Sequence, residues 1–351
     1  MKIAVAMSGG IDSSVTAVIL KDEGHDIIGI TARFLPHSHE NDRIYYESVH
    51  DAKLISDRYG FPHYEFDFTD AFRTTVIDYF CREYRSGRTP NPCTVCNRYV
   101  KFSGLLEAAG TLGCSMLATG HYAVKKSGGG RFYVSMSPDR PKDQSYFLFM
   151  LTQEQLSTIL FPLAAMTKND VRRYAREYDL HIQDRAESQE ICFIPDNNYI
   201  SFLENYSGIE PSPGNIVNSS GKVLGRHNGI YRYTIGQRRG MGISAPEPLY
   251  VTSIDAVTNT VTAGSRDDLF VRYVETENAF DMKYEIRSET SLLIKARSTQ
   301  VPVRGTVSRN GDRFMIVFDE PQTGISPGQC AVFYDSENDI AGGGFISKSY
   351  S

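Results

Sequence analysis

Lys2-Ile3-Ala4-Val5-Ala6-Met7-Ser8-Gly9-Gly10-Ile11-Asp12-Ser13 is the stretch that decides the fold. Lys2 to Met7 is a compact apolar run of strand type. Asp12 to Glu23 then carries Val15, Ala17, Val18, Ile19 and Leu20 at helical spacing before Gly24 stops it. A strand, a glycine-bearing turn and a helix make the opening of a βα unit. Two glycines let backbone N–H groups approach an anion, and the helix N-terminus adds partial positive charge. Ser8 and Ser13 offer hydroxyls, and Asp12 offers a carboxylate that suits Mg²⁺ beside phosphate oxygens. The loop lacks the Gly-Lys-Thr/Ser of a Walker loop and the Gly-x-Gly-x-x-Gly of a dinucleotide loop.

Outward from that stretch the pattern repeats. Asp26 to Thr31 reads as a strand, Ser48 to Tyr59 as a helix stopped by Gly60, and His63 to Phe68 as an alternating strand. A helix rich in Leu105, Leu106, Ala108 and Ala109 precedes a short apolar strand from Cys114 to Ala118. This βαβα order predicts an α/β fold with a doubly wound parallel sheet, and ligands at the carboxyl ends of its strands. Tyr122 to Ser135 reads as a hairpin about Ser127-Gly128-Gly129-Gly130. Thr152 to Leu160 and Thr167 to Tyr178 read as helices, the second with Thr167 as N-cap and Asp170 three residues on.

After about Tyr206 the texture changes to Gly-, Pro-, Ser- and Asn-rich turns between short strand candidates. These are Leu249 to Ile254, Thr260 to Ala263, Leu292 to Ala296, Arg313 to Phe318 and Cys330 to Tyr334. The expected organisation is a catalytic domain over residues 1–206, a small β-rich linker domain over 207–271, and a β-barrel over 272–351.

The chain has 351 residues with 37 Lys+Arg against 42 Asp+Glu, a net charge of −5 that excludes a wholly basic, histone-like binder. Hydrophobic residues at 41% and charged residues at 23% exclude disordered, collagen-like and coiled-coil classes. No apolar run approaches the ~18 residues of a membrane span, and the run before Ser8 is too short for a signal-peptide core. Six cysteines are too sparse for a secreted disulfide scaffold, so a cytoplasmic protein with reduced, metal-bound or catalytic thiols is expected.

Three of those thiols stand out. Thr89-Pro90-Asn91-Pro92-Cys93-Thr94-Val95-Cys96-Asn97 puts a Cys-x-x-Cys on a proline-stiffened turn, and Cys192 lies in Ser188-Gln189-Glu190-Ile191-Cys192-Phe193-Ile194-Pro195-Asp196. A structural zinc needs four ligands, and only a distant His121 offers itself as the fourth. Cys81, Cys114 and Cys330 sit in apolar contexts and read as core, and His37-Ser38-His39 reads as a polar surface loop.

The glycine loop resembles the Ser-Gly-Gly-x-Asp-Ser signature of the N-type ATP pyrophosphatases, which cleave ATP between the α and β phosphates. Further motifs follow in order: Thr89 to Phe102, Ala118 to Tyr122, Lys142 to Leu148, Ser188 to Pro195, Tyr233 to Gly242, and Phe318 to Gln329. Together they resemble the tRNA-specific 2-thiouridylase family over essentially the whole chain. The resemblance implies a tRNA sulfurtransferase. The C2 oxygen of the wobble uridine, position 34, attacks the α-phosphate of ATP, and sulfur then displaces AMP. It implies ATP contacts at Ala6, Met7, Ser8, Gly9, Gly10, Ile11, Asp12, Ser13, Ala32 and Gly120, with Mg²⁺ alongside. Cys96 is implied as nucleophile and Cys192 as persulfide carrier. Asn91, Pro92 and Cys93 are implied to meet the target base. His121, Lys142, Asp143, Gln144, Arg297, Ser298 and Gln329 are implied to touch tRNA.

One departure matters: many members of that family carry aspartate where this chain has Cys93. The substitution makes Cys93, Cys96 and Cys192 a three-thiol set that suits a [4Fe–4S] cluster with one iron open. The other route is persulfide at Cys192, resolved by Cys96 through a transient disulfide. The expected partners are tRNA and a sulfur donor, either a relay protein or sulfide, with neither DNA nor membrane.

The charge distribution allows an RNA track. Residues 1–80 hold 7 bases and 13 acids, whereas 81–101 hold five bases and one acid, 222–239 five bases and no acid, and 287–313 six bases and two acids. Arg238 and Arg239 are the expected tRNA contacts of the middle cluster, and Tyr84, Tyr99, Tyr231 and Tyr233 are expected to stack on unpaired nucleotides. Two competing readings remain. One is a ligase with the same loop that adenylates a small metabolite, and the other is a non-enzymatic, metal-stapled tRNA-binding protein.

Overall fold

The computed structural model of the protein describes residues 1–35, 37–180, 191–194 and 198–351. β1 (Lys2–Ala6), β2 (Asp26–Arg33), β3 (His63–Asp67) and β4 (Met116–Ala118) are parallel neighbours. The hairpin β5 (Val124–Gly128) and β6 (Arg131–Ser135) turns through Gly129 and Gly130, as the glycine run predicts. β7 (Ile159–Leu160) then joins the sheet beside β4, giving the order β3-β2-β1-β4-β7. This corrects the expected helix from Thr152 to Leu160, which ends at Thr158 and hands its last two residues to the sheet.

Strand order reverses between β1 and β4, and the crevice opens at that switch point. Helix Ile11–Asp22 follows β1 and packs Val15, Val18 and Leu20 against Val171 and Ala175 of helix Lys168–Glu177. The helix after β2 runs from His39 to Tyr59, starting well before the expected Ser48. Ser38 is its N-cap rather than part of a loop, accepting from the Asn41 N–H. Its first half carries no apolar stripe, because it overhangs the crevice, where Asn41 and Tyr45 form part of the wall. Thr167 caps its helix as expected, in a reciprocal box with Asp170.

The later region is β-rich. β8 (Gly214–Val217), β9 (Val223–His227), β10 (Tyr250–Asp255) and β11 (Thr260–Gly264) form a four-stranded sheet in the order β10-β11-β8-β9 over Ile216, Val251, Val261 and Ala263. β12 (Val271–Asp281), β13 (Thr290–Lys295), β14 (Val303–Asn310), β15 (Arg313–Gln322), β16 (Cys330–Tyr334) and β17 (Ile340–Tyr350) close into a barrel with antiparallel pairing.

β16 is buried on both faces, and its period of two explains how. Ala331 and Phe333 fill the barrel beside Phe314, while Cys330, Val332 and Tyr334 join Tyr146, Leu148 and Phe149 of the α/β region in one continuous core. The barrel is therefore welded to the α/β region rather than tethered to it. Among the described residues, no helix is long and apolar enough to cross a membrane.

Candidate active site

Met7 to Gly10 carry the chain from β1 into its helix, and two constraints shape the turn. Gly9 has φ +68°, and a Cβ there would stand 2.7 Å from the Ser48 Cα, so neither conformation nor space admits a side chain. Gly10 is an extended N-cap with no side-chain cap, which leaves the first-turn N–H groups for an anion. The Ser13 hydroxyl fixes the turn, donating to the Gly10 carbonyl at 2.9 Å and accepting from the Ser8 N–H at 3.2 Å. Thr31 donates to the Met7 carbonyl at 2.8 Å from β2. A cleft of about 790 Å³ opens over the strand ends, lined by Ala6, Met7, Ser8, Asp12, Ser13, Ala32 and Gly120 among others. Ile11, the remaining apolar residue of the predicted loop, faces the core instead.

Asp12 does not stand alone on that loop. Its Oδ1 accepts from the Tyr122 hydroxyl at 2.6 Å and from Lys168 Nζ at 2.7 Å, and its Oδ2 accepts from the same Nζ at 2.8 Å. Lys168 is 5% exposed while Asp12 is half-buried at the cleft, so the pair joins a buried ammonium to a partly open carboxylate. The sequence reading missed both partners. Tyr122 and Lys168 lie 110 and 156 residues away, and only the fold relates them to the loop. Asp12 still suits Mg²⁺, since one carboxylate with phosphate oxygens is a common magnesium set.

The cysteine loop is built for rigidity. Asn91 caps the short helix Pro92–Cys96, accepting from the Thr94 N–H, and Pro92 sits in its first turn. A π-helical turn, Asn97–Lys101, follows directly. Its hydrogen bonds close from each residue to the fifth along, bringing Lys101 back toward the face of Cys96; in an α-helix that residue is rotated about 140° away. Lys101 lines the cleft, and its charge acts on Cys93, Cys96 and Cys192 alike.

Cys192 lies on a tight turn held by Phe193, which packs edge-on against Phe72 and Phe80 in the same cluster as Cys96. It opens to solvent on the cleft wall, and it is near enough to Cys96 and Cys93 to feel their charge. The three predicted thiols thus come together beside the predicted ATP loop. Burial pushes the Cys93 thiol up and Cys96 up to about 11; Cys192 reaches solvent through the cleft, but the protein packed around its turn and the neighbouring thiols push it up to about 12. Among the described residues, the three sulfurs are not all within 4.8 Å of one another, so at least one pair is wider than the roughly 3.8 Å separation in a tetrahedral zinc site. Ser188, Gln189, Glu190, Pro195 and Asp196 of the flanking motif lie outside the described residues.

The His121 ring packs between Phe102 and Phe161, and its Nδ1 lies 2.8 Å from Thr119 Oγ1. Burial, with Lys101 nearby, pushes it down to about 3, so it is a neutral imidazole on the cleft wall. Gln144 also lines the cleft and accepts from the Tyr122 N–H. Asp143 accepts from the Ser137 N–H and the Ser145 hydroxyl, which commits its carboxylate to the loop itself. Asn91 and Pro92 are buried, Cys93 and Lys142 are partly exposed, and Arg238 and Arg239 are exposed. Arg297 and Ser298 are half-buried on the barrel. Gln329, also on the barrel, donates to the Thr89 and Pro90 carbonyls at 3.0 and 3.2 Å, so it holds the cysteine loop.

The stacking expectation needs correcting. Tyr84, Tyr231 and Tyr233 are each under 10% exposed, packed as core aromatics, and only Tyr99 of the four is open to solvent. A tyrosine buries its ring as readily as it offers it.

Family models cover the chain in three pieces. A tRNA methyl transferase HUP domain matches residues 1–196, a tRNA methyl transferase PRC-barrel domain 200–265, and an aminomethyltransferase beta-barrel domain 271–346. The tRNA-specific 2-thiouridylase MnmA of Geobacter metallireducens is 45% identical over 99% of this chain and 97% of its own length. Its counterpart in Syntrophotalea carbinolica is 46% identical over 98% of both. Among solved structures, the U34-tRNA thiolase NcsA from Methanococcus maripaludis with its [4Fe-4S] cluster covers 59% of this chain and 64% of its own, at 17% identity and a TM-score of 0.37, too low to support an inference. Identity above 40% across the full length decides the matter: the chain belongs to the tRNA-specific 2-thiouridylase family.

Proposed function

We propose that the protein is an ATP-dependent tRNA-uridine 2-sulfurtransferase acting on the wobble uridine, position 34. The observation that supports it most directly is the shared cleft: the anion-binding turn at Ser8 to Ser13 and the Cys192 wall face the same space. ATP would lie on the loop with its phosphates at the Gly10 helix start, between Ala32 and Gly120. The C2 oxygen of uridine attacks the α-phosphorus, the bond to pyrophosphate breaks, and the N3 proton leaves. Sulfur then bonds to C2, the C2–O bond breaks, and AMP carries the oxygen away.

Cys93, Cys96 and Cys192 are the sulfur-handling set in this reading. These thiols are pushed up by their surroundings, and a bound metal would ionise them. Three thiols that do not close to zinc-site spacing leave room for a larger [4Fe–4S] cluster, which Cys93, Cys96 and Cys192 would hold. When bound, such a cluster supplies an open iron that takes up sulfide. The chain's own contribution is Lys101, whose charge favours ionised sulfur, and a neutral His121 that leaves that cation unopposed.

The bases at Arg238, Arg239 and Arg297, with Lys142, Gln144 and Ser298, would meet the tRNA; Asp143 and Gln329 would serve it by holding their loops, and Cys93 would meet the target base on the turn shaped by Asn91 and Pro92. Residues 1–206 would carry the chemistry, with 207–271 and 272–351 holding the tRNA. The test is nucleoside analysis of tRNA after incubation with ATP, Mg²⁺ and sulfide, using enzyme purified without oxygen. Formation of 2-thiouridine with stoichiometric AMP and pyrophosphate is expected, and full activity of a Cys93, Cys96 and Cys192 triple serine variant would refute it. Iron-free enzyme that thiolates fully when given persulfide would overturn the cluster and leave the persulfide route.

A further inference from the structure

The phosphate loop from Met7 to Ser13 contains no basic residue, yet the proposed reaction expels pyrophosphate, a highly charged leaving group. Loops of the Walker type meet that charge with a lysine of their own. Here a cation must come from elsewhere in the fold. Arg33 lines the cleft but is committed to Asp42 and stacked on Tyr45. Lys101 stands on the sulfur side, among the cysteines.

We propose that Lys168 is the leaving-group cation of this site, stored on Asp12 until the nucleotide arrives. Asp12 is the second residue of the helix whose N-terminus faces the phosphates, and Lys168 Nζ lies 2.7 Å from its carboxylate. Asp12 itself lines the cleft, so the ammonium it holds stands at the cleft's edge beside the helix start where β- and γ-phosphate oxygens would lie. The Tyr122 hydroxyl stays on Asp12 Oδ1 at 2.6 Å and keeps the carboxylate in place when the lysine leaves.

The position of Lys168 is costly for a purely structural residue. It is the first residue of helix Lys168–Glu177, at the end where the helix dipole disfavours a cation. It is also buried, where an ammonium loses hydration. Its own N–H is pinned to Asp139 Oδ2 at 2.7 Å, and the Thr167–Asp170 box fixes the turn, so the side chain is aimed by backbone and not by chance packing. Asp12 offsets both costs in the resting site, and a polyanion bound at the same spot would offset them once the lysine turns to it.

The inference rests on the ATP reading, and calorimetry with pyrophosphate in Mg²⁺-free buffer separates the two. Wild-type protein is expected to bind pyrophosphate, ATP and AMP; binding none of them would overturn the ATP reading and this one with it. Lys168→Met should weaken pyrophosphate about 10- to 100-fold, the usual worth of a hydrogen bond to a charged group, with AMP affinity changed less than about twofold. Lys168→Arg should recover part of the loss. Unchanged pyrophosphate affinity in Lys168→Met would overturn the proposal. The double variant Asp12→Asn/Lys168→Met removes the ion pair together, which protects the fold from an unpaired buried charge. If it binds pyrophosphate as weakly as Lys168→Met, the lysine contacts the anion. If it regains wild-type affinity, the lysine only neutralises Asp12 and the proposal fails.

Discussion

Gly328→Ala is the substitution that best tests how the barrel governs the cysteine loop. Gly328 has φ +91°, and a Cβ there would stand 2.9 Å from the Thr89 oxygen and 3.0 Å from both its carbonyl carbon and its nitrogen. All three atoms are backbone, so no side chain can turn aside. The same contact carries a Thr89 N–H bond to the Pro327 carbonyl at 2.8 Å and the Gln329 amide on Thr89 and Pro90. An alanine at positive φ costs about 1–2 kcal/mol, and overpacking against rigid neighbours adds about 1–3 kcal/mol. Part of that strain is relieved by pushing Thr89 outward, which moves the start of the helix bearing Cys93 and Cys96. Gly311→Ala is the control, because Gly311 has φ +61° with nothing within 4 Å of its Cβ position and carries the backbone cost alone. Gly328→Ala should therefore melt several degrees below Gly311→Ala. In single-turnover assays it should release pyrophosphate near the wild-type rate while forming 2-thiouridine more slowly. Equal melting temperatures and equal thiolation in the two variants would refute the reasoning.

Two further outcomes follow from the same structure. Neutralising the exposed Arg238 and Arg239 to glutamine should weaken tRNA binding and flatten its dependence on salt, by roughly 0.7 in the log–log slope for each phosphate that is no longer neutralised; an unchanged slope would remove this loop from the RNA track. The His121 ring, held near 3 against an ordinary 6.5, should show no NMR titration between about pH 5 and 8. Because the folded value is depressed, its stabilising contribution is complete above the unfolded value and declines as the pH falls toward 3, so His121→Asn should make acid unfolding shallower.

What the sequence made legible was whatever a short window contains. β1, its glycine turn and its helix are contiguous, so periodicity and turn chemistry suffice, and the hairpin at Gly129-Gly130 reads for the same reason. β7 was hidden because two apolar residues continuing an amphipathic run look like its last turn. The first half of helix His39–Tyr59 was hidden because it overhangs a cleft and has no apolar face to display. The thiols were legible by residue type, but their meeting with the ATP loop depends on Phe193 docking against Phe72 and Phe80, a tertiary event. The Lys168–Asp12 pair left no local trace, and the tyrosines misled because interleaving with arginine says nothing about which way a ring packs.

The bond network between the barrel and the cysteine loop also sets an order of assembly. Thr89 and Gln329 are 240 residues apart. A chain growing on a ribosome at ~5–20 residues per second therefore presents its nucleotide turn well before the strand that steadies Cys93 and Cys96 exists. That interval is about ten seconds or more, and it separates the synthesis of the two partners in this contact. The sulfur loop thus gains its last support only when the strand that follows Gln329 packs beneath it, although the loop itself lies in the first third of the sequence.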